Sequence, residues 1–137
     1  FSKKGVVRGL HYQWSDPMGK LVSVVNGRII DYIVDIRKDS ETYGKSFAFE
    51  LSDQNDLMLW VPPGFAHGFE ALEDSYVLYK CSSKYNHAAE GSISIFDKNI
   101  ALSLRTPREN VIISKRDLEA LSFNDYCEDP KFFKEKG

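Results

Sequence analysis

The sequence predicts an all-β fold, a sandwich or barrel, and three observations carry that prediction. Short runs rich in β-branched and aromatic residues recur along the chain. Clusters of Gly, Asp, Asn and Pro separate them at close spacing, and the one good helix signal lies near the end.

Taken in order, Gly5 to Trp14 reads as a first strand, and Asp16-Pro17 after it supplies a turn. Between Lys20 and Arg37 two strand-like runs flank Asn26-Gly27, the dipeptide that best tolerates the positive φ angles of a type I′ turn, so a tight hairpin is expected there. In its second arm Ile30, Tyr32, Val34 and Ile36 share one face, and Ile29, Asp31, Ile33 and Asp35 share the other. Two carboxylates therefore sit on an otherwise apolar face. Further strands are expected over Ser46 to Leu51, Leu57 to Val61, Tyr76 to Cys81 and Ser92 to Phe96. Ser114, with Asp117 three residues on, has the form of a capping box and predicts a short helix. The tail from Asn124 to Gly137 is charged and aromatic without clear periodicity, and no repeat or low-complexity stretch is present.

At 137 residues the chain has the size of one domain, spanning 1 to 137, which buries roughly two thirds of the surface its unfolded form exposes. Hydrophobic residues at 42% and charged residues at 28% argue against disorder. No apolar run approaches the roughly 20 residues of a bilayer span and no signal-peptide pattern opens the chain, so a soluble, cytoplasmic protein without a membrane partner is expected. A net charge of -2, with scattered lysines and arginines, excludes the continuous basic stripe of a nucleic-acid binder and leaves a small anionic ligand compatible. Cys81 and Cys127 are far apart without metal-type spacing and are read as free thiols. The chain begins at Phe1 and enters a strand-like pattern almost at once, from which a preceding segment is expected.

Several residue types suit chemistry. Pro62-Pro63-Gly64-Phe65-Ala66-His67 fits the Pro-x-Gly-x-x-His pattern of the second cupin motif, in which a turn delivers a histidine into the mouth of a barrel. A metal cupin also needs a His-x-His pair. The only candidate here is His11-Tyr12-Gln13, with glutamine in the second position, and His87 falls in a loop, so no metal is expected. Arg8, His11 and Lys20 put a guanidinium, an imidazole and an ammonium on neighbouring strands, a cluster suited to a phosphorylated ligand; equally, His11 can be a hydrogen-bonded barrel histidine and the two cations solvated surface charges. Tyr79, at the end of a strand, reads either as a core tyrosine or as a proton donor. Asp117 reads either as a helix cap or as the carboxylate that orients a histidine.

The ordered segments KKGVVRGLHYQ, GKLVSVVNGRIIDYIVDIRKDSETYGK, LWVPPGFAHGFEAL, LYKCSSKY, EGSI and ISKRD, from residue 3 to about residue 117, resemble the dTDP-4-dehydrorhamnose 3,5-epimerase family. The resemblance implies a cupin-like jelly-roll β-barrel with a short C-terminal helix. It implies a homodimer that converts dTDP-4-dehydro-6-deoxy-D-glucose to the L-rhamnose precursor without metal or redox cofactor. By position, His11 matches the general base, Asp117 the carboxylate that orients it, Tyr79 the proton donor on the opposite face of the sugar, and Lys20 the cation near the C4 oxygen. Arg8, Gln13, Asp31, His67, Tyr85 and Arg116 match positions lining the substrate pocket.

Related readings remain open: a single-site epimerase, a ketoisomerase moving the carbonyl between C4 and C3, and a nucleotide-sugar-binding barrel without turnover. Departures from the family pattern fall away from the catalytic positions. Leu104-Arg105-Thr106-Pro107 stands where the family has Trp-Pro, Leu57-Met58 where it often has Arg-Gln, and Lys84-Tyr85 where it has a tyrosine pair. The family also carries about 45 to 50 residues ahead of the first matching segment, more than a simple connection needs. They supply strands and ligand contacts there, so this chain is expected to be a fragment or a divergent form.

Overall fold

The computed structural model describes residues 1–135. Ten strands form: β1 Val7–Gln13, β2 Lys20–Asn26, β3 Arg28–Asp35, β4 Arg37–Lys38, β5 Ser46–Ser52, β6 Met58–Val61, β7 Phe65–Ala71, β8 Tyr76–Cys81, β9 Glu90–Ser92 and β10 Phe132–Phe133. Two short helices, α1 Lys115–Leu118 and α2 Phe123–Glu128, follow β9. One antiparallel sheet runs in the order β5-β3-β7-β1-β9 and a second in the order β6-β2-β8, while β4 pairs in parallel with β10.

The alternation along β3 places it. Ile29 and Ile33 pack with Val22, Leu51, Val61, Phe69 and Ala71 between the two sheets. Ile30, Tyr32, Val34 and Ile36 pack on the opposite side with Leu10, Tyr12, Ile93, Ile95 and Tyr126. A strand apolar on both faces belongs at the centre of a covered sheet, and β3 lies second from the edge of the larger one. The polar members of its inner face are accommodated individually. Asp35 accepts hydrogen bonds from Arg37, Ser40 and Thr42. Burial alone would raise its pKa, but these donors more than reverse that and hold it well below the usual carboxylate range.

The predicted hairpin at Asn26-Gly27 does not form. β2 pairs with β6 and β8, and β3 with β5 and β7, so the dipeptide carries the chain from one sheet to the other. Gly27 takes φ +99° while Asn26 stays out of the left-handed region, unlike a type I′ turn. Gly27 is needed because a Cβ there would lie 2.5 Å from the Asp74 carbonyl oxygen and 2.3 Å from Ser75 Oγ. Its N–H donates to Asp53 Oδ2 at 3.0 Å.

Two other expectations change. In place of the strand expected over Ser92 to Phe96, β9 spans Glu90–Ser92, and the alternating Ile93 and Ile95 beyond it are core residues of an irregular segment. The tail taken as aperiodic contains most of α2 as well as β10, and buries Tyr126, whose hydroxyl donates to Ile36 O at 2.6 Å. Gly137, which closes that tail, lies outside the described residues. Around Leu104 to Pro107, where the family's Trp-Pro is missing, buried Glu70 clamps the chain by accepting the N–H groups of Arg105 at 2.7 Å and Thr106 at 2.9 Å, together with the Tyr32 hydroxyl at 2.6 Å.

Gly27→Ala combines a strained φ with a backbone clash. It is expected to cost about 2 kcal/mol, read as a lower urea midpoint at unchanged slope. A midpoint equal to that of the parent would show that the Asp74–Ser75 segment yields freely.

Candidate active site

Arg8 and His11 lie three residues apart on β1, so a simple alternation would put them on opposite faces of the sheet. Its register against β7 resolves this: Arg8 faces Phe69 and His11 faces His67, three steps along β1 against two along β7. The extra residue is a β-bulge, which shifts the phase of the strand so that both side chains lie on the face that Phe69 and His67 share, with Arg8 still exposed. Gly9 sits in it at φ +112°, where a Cβ would lie 2.6 Å from Gly68 Cα and 2.7 Å from His67 O.

α1 delivers the carboxylate behind His11. The Asp117 N–H donates to Ser114 Oγ at 3.2 Å, the N-cap contact the sequence predicts. The Asp117 side chain does not complete a capping box. Instead Oδ1 lies 2.6 Å from His11 Nε2, and Oδ2 accepts the Gly9 N–H at 3.1 Å. Burial pushes the Asp117 pKa up, but the bonds from His11 and Gly9 outweigh it and the net direction is down. An ionised carboxylate only accepts, so the His11 proton sits on Nε2 and Nδ1 keeps its lone pair.

His11, Gln13, Lys20, His67 and Tyr85 line one cavity, with Tyr12, Met18, Val61, Phe65 and Glu90. Lys20 comes from β2, across the interior. Burial lowers its pKa, against the opposing pull of Cys81, Glu90 and Asp31. Tyr79 is paired with Val22, a core residue between the sheets, so its side chain is on the inner face of the smaller sheet. It stands beside the cavity rather than in its immediate wall: its ring meets that of His67 edge-on at 5.8 Å between centroids, and Lys20 Nζ lies 5.9 Å from its centre. Burial, then the charge of Asp31, raises its pKa above that of a free phenol, with Arg8 opposing.

The remaining expected positions act from behind or from the rim. Asp31 is fully buried under His67, with Oδ1 at 2.6 Å from His67 Nε2. Arg8, outside the cavity wall, donates from Nε to Ser2 Oγ at 3.2 Å. Arg116 reaches Glu90 Oε1 at 3.0 Å, and the Tyr85 hydroxyl donates to the other Glu90 oxygen. Gln13 lines the cavity but its amide is engaged: it donates to Asp16 O at 2.8 Å and Lys84 O at 3.0 Å, and accepts from the Asn86 N–H at 2.9 Å. Sequence reasoning assigned no role to Glu90, although its segment was among those quoted; the register partner of Gln13 on β9, it offers a carboxylate to the cavity wall.

A family model described as dTDP-4-dehydrorhamnose 3,5-epimerase matches residues 1–125. The chain is 42% identical over 118 residues to dTDP-4-dehydrorhamnose 3,5-epimerase of Methanothermobacter thermautotrophicus, covering 85% of this chain and 64% of that protein. It is 43% identical over 126 residues to the protein of the same name from Shigella flexneri, covering 90% and 68%. Among solved structures, a dTDP-6-deoxy-D-glucose-3,5-epimerase from Legionella pneumophila in complex with dTDP-4-keto-L-rhamnose superposes with a TM-score of 0.92 at 38% identity, covering 99% of this chain and 72% of that one. The chain thus spans about two thirds of the length of the curated relatives it matches. Its fold is the cupin-like jelly roll.

A carboxylate with a depressed folded-state pKa stabilises the fold above its unfolded value, near 3.9 for Asp, and that contribution is lost as pH falls through the folded pKa. Asp117→Asn is therefore expected to lose about 1–3 kcal/mol at pH 7 and then to lose less than the parent between pH 4 and pH 2. Urea unfolding at both ends of that range checks this; parallel losses would remove Asp117 from the acid response.

Proposed function

The chain belongs to the dTDP-4-dehydrorhamnose 3,5-epimerase family, and from that membership we propose that it inverts C3 and C5 of a dTDP-linked 4-keto-6-deoxy sugar by proton transfer. The observation that carries this reading is the His11–Asp117 couple at 2.6 Å, on a cavity that also receives Lys20 from the facing sheet. Substrate and product are isomers with the same oxidation state, so the reaction asks for acid, base and charge stabilisation rather than for electrons.

A C–H beside a ketone becomes acidic only if the charge arriving on the carbonyl oxygen is stabilised, and the Lys20 ammonium is the group for that task. His11, with Nδ1 free, takes the proton; Asp117 fixes the tautomer and stabilises the imidazolium. Inversion requires the new proton to come from the other face of the planar enolate. Tyr79, on the sheet opposite His11, is the donor, and its raised pKa keeps it protonated until then. C3 and C5 both flank C4, so one set of groups serves both carbons. Arg8, His67, Tyr85 and Arg116 bind the remainder of the substrate, and Gln13 shapes the rim. The reading extends to a cytoplasmic homodimer: Met58, Trp60 and Leu78 leave an exposed apolar surface on the outer face of the smaller sheet, of the kind that protein contacts bury.

In heavy water the protein is expected to introduce deuterium at C3 and C5 of dTDP-4-keto-6-deoxyglucose, followed by NMR, and His11→Ala to lower both exchanges by about 100-fold or more. Exchange at one carbon only would make it a single-site epimerase, a moved carbonyl a ketoisomerase, and binding without exchange a non-catalytic barrel.

Tyr79→Phe keeps the ring but removes the proton. It is expected to retain hydrogen abstraction, measured as loss of label from a substrate deuterated at C3, while epimerised product falls by about 100-fold. Full epimerisation by this variant would refute the donor role.

A further inference from the structure

We propose that Gln13 is a positioning residue for Tyr85: its amide holds the backbone on both sides of that ring and so presents the ring, already placed, to the nucleotide sugar. The inference rests on the reading of this cavity as the substrate site. The resemblance puts Gln13 among the residues lining the pocket, and its hydrogen bonds give it a task other than contact with the ligand.

A glutamine amide has two N–H groups to donate. Both are engaged, one on Asp16 O at 2.8 Å and one on Lys84 O at 3.0 Å, while Oε1 accepts the Asn86 N–H at 2.9 Å. Gln13 is 5% exposed, so these bonds form largely out of competition with water. A ligand could reach the amide donors only by breaking them.

Two of the three bonds fall on Lys84 and Asn86, the residues on either side of Tyr85. Tyr85 itself is 64% exposed and lies in the irregular segment between β8 and the single turn at His87–Ala89, so packing does little to place it. Ser82 and Ser83 tie the start of that segment down: Ser82 Oγ accepts the Gly19 N–H at 2.8 Å, and the Ser83 hydroxyl donates to Asp16 O at 2.9 Å. Beyond them, the Lys84 carbonyl and the Asn86 N–H are held by Gln13.

The far end of the ring is held from the same level of the sheet. Glu90, the register partner of Gln13 on β9, accepts the Tyr85 hydroxyl on one oxygen and Arg116 on the other. Burial pushes the Glu90 pKa up, but the bonds from Tyr85 and Arg116 outweigh it and the net direction is down, so this anchor is an ionised carboxylate. One cross-strand pair, Gln13 with Glu90, thus grips Tyr85 by its backbone and by its hydroxyl. An exposed ring on an irregular segment would otherwise have to be ordered at the moment of binding, which weakens affinity; here the order precedes the ligand.

A double-mutant cycle tests this, with binding of dTDP-glucose measured by calorimetry; that sugar lacks the ketone and is bound without turnover. Gln13→Met keeps the length of the side chain and removes the amide. It is expected to weaken binding by about tenfold, and Tyr85→Ala by about tenfold or more. Because both losses pass through one ring, the double variant is expected to bind within about twofold of Tyr85→Ala alone. Losses that multiply, or either single variant binding as the parent does, would overturn the proposal. If urea unfolding shows that Gln13→Met does not fold, Gln13→Asn, whose amide stops one methylene short of the segment, is read by the same criterion. Binding by the parent without deuterium exchange into the keto sugar would remove the epimerase reading alone, since the cycle is still read; no binding by the parent would remove both.

Discussion

One oxygen of Asp117 accepts the Gly9 amide at 3.1 Å and the other holds His11 at 2.6 Å, so a single carboxylate fixes both the bulge of β1 and the imidazole two residues beyond it. Without the bulge, Arg8 and His11 would face opposite sides of the sheet. Without the carboxylate, the bulge would keep an unpaired buried N–H and the imidazole would be free to rotate. The helix that supplies Asp117 has four residues, too few to persist alone, and is held by its serine cap and by docking against β1. The site therefore exists only once the end of the chain has folded back onto its beginning.

Much of the fold can be read in the residues, and the failures have a common cause. The alternation of β3 correctly separates Ile30, Tyr32, Val34 and Ile36 from Ile29 and Ile33, because period-two burial is a local property of an extended chain. The hairpin fails because strand pairing is not local. Asn26-Gly27 does announce a positive φ, but whether the chain then turns back or crosses to another sheet depends on which strands offer apolar faces, and β6 and β8 lie far along the sequence. Ile93 and Ile95 mislead in the opposite direction, since alternation there reports burial without a ladder. Tyr126 gives no periodic signal because the tail is held by separate aromatic contacts, Phe123, Tyr126 and Phe132 on the core, rather than by one regular face.

Of the candidate site, short motifs pointed to His11, His67 and Lys20, which the structure brings to one cavity with Tyr79 beside it, and to Arg8, which lies outside the wall. Of the two readings of Asp117 the cap fails, since Ser114 caps the helix by accepting the Asp117 N–H, and the Asp117 side chain lies against His11 instead. What could not be read was division of labour between neighbours. Glu90 and Arg116 become a joined pair only through the contact between β9 and α1, and Gln13 looks in sequence like a ligand-binding amide.

Gln13 holds Asp16, Lys84 and Asn86 with one amide, and it stands two positions from His11 on the same strand. The loops at Asp16 and at Lys84–Asn86 are thereby tied to the strand that carries His11. A substitution that releases those two loops also loosens the strand that holds the imidazole.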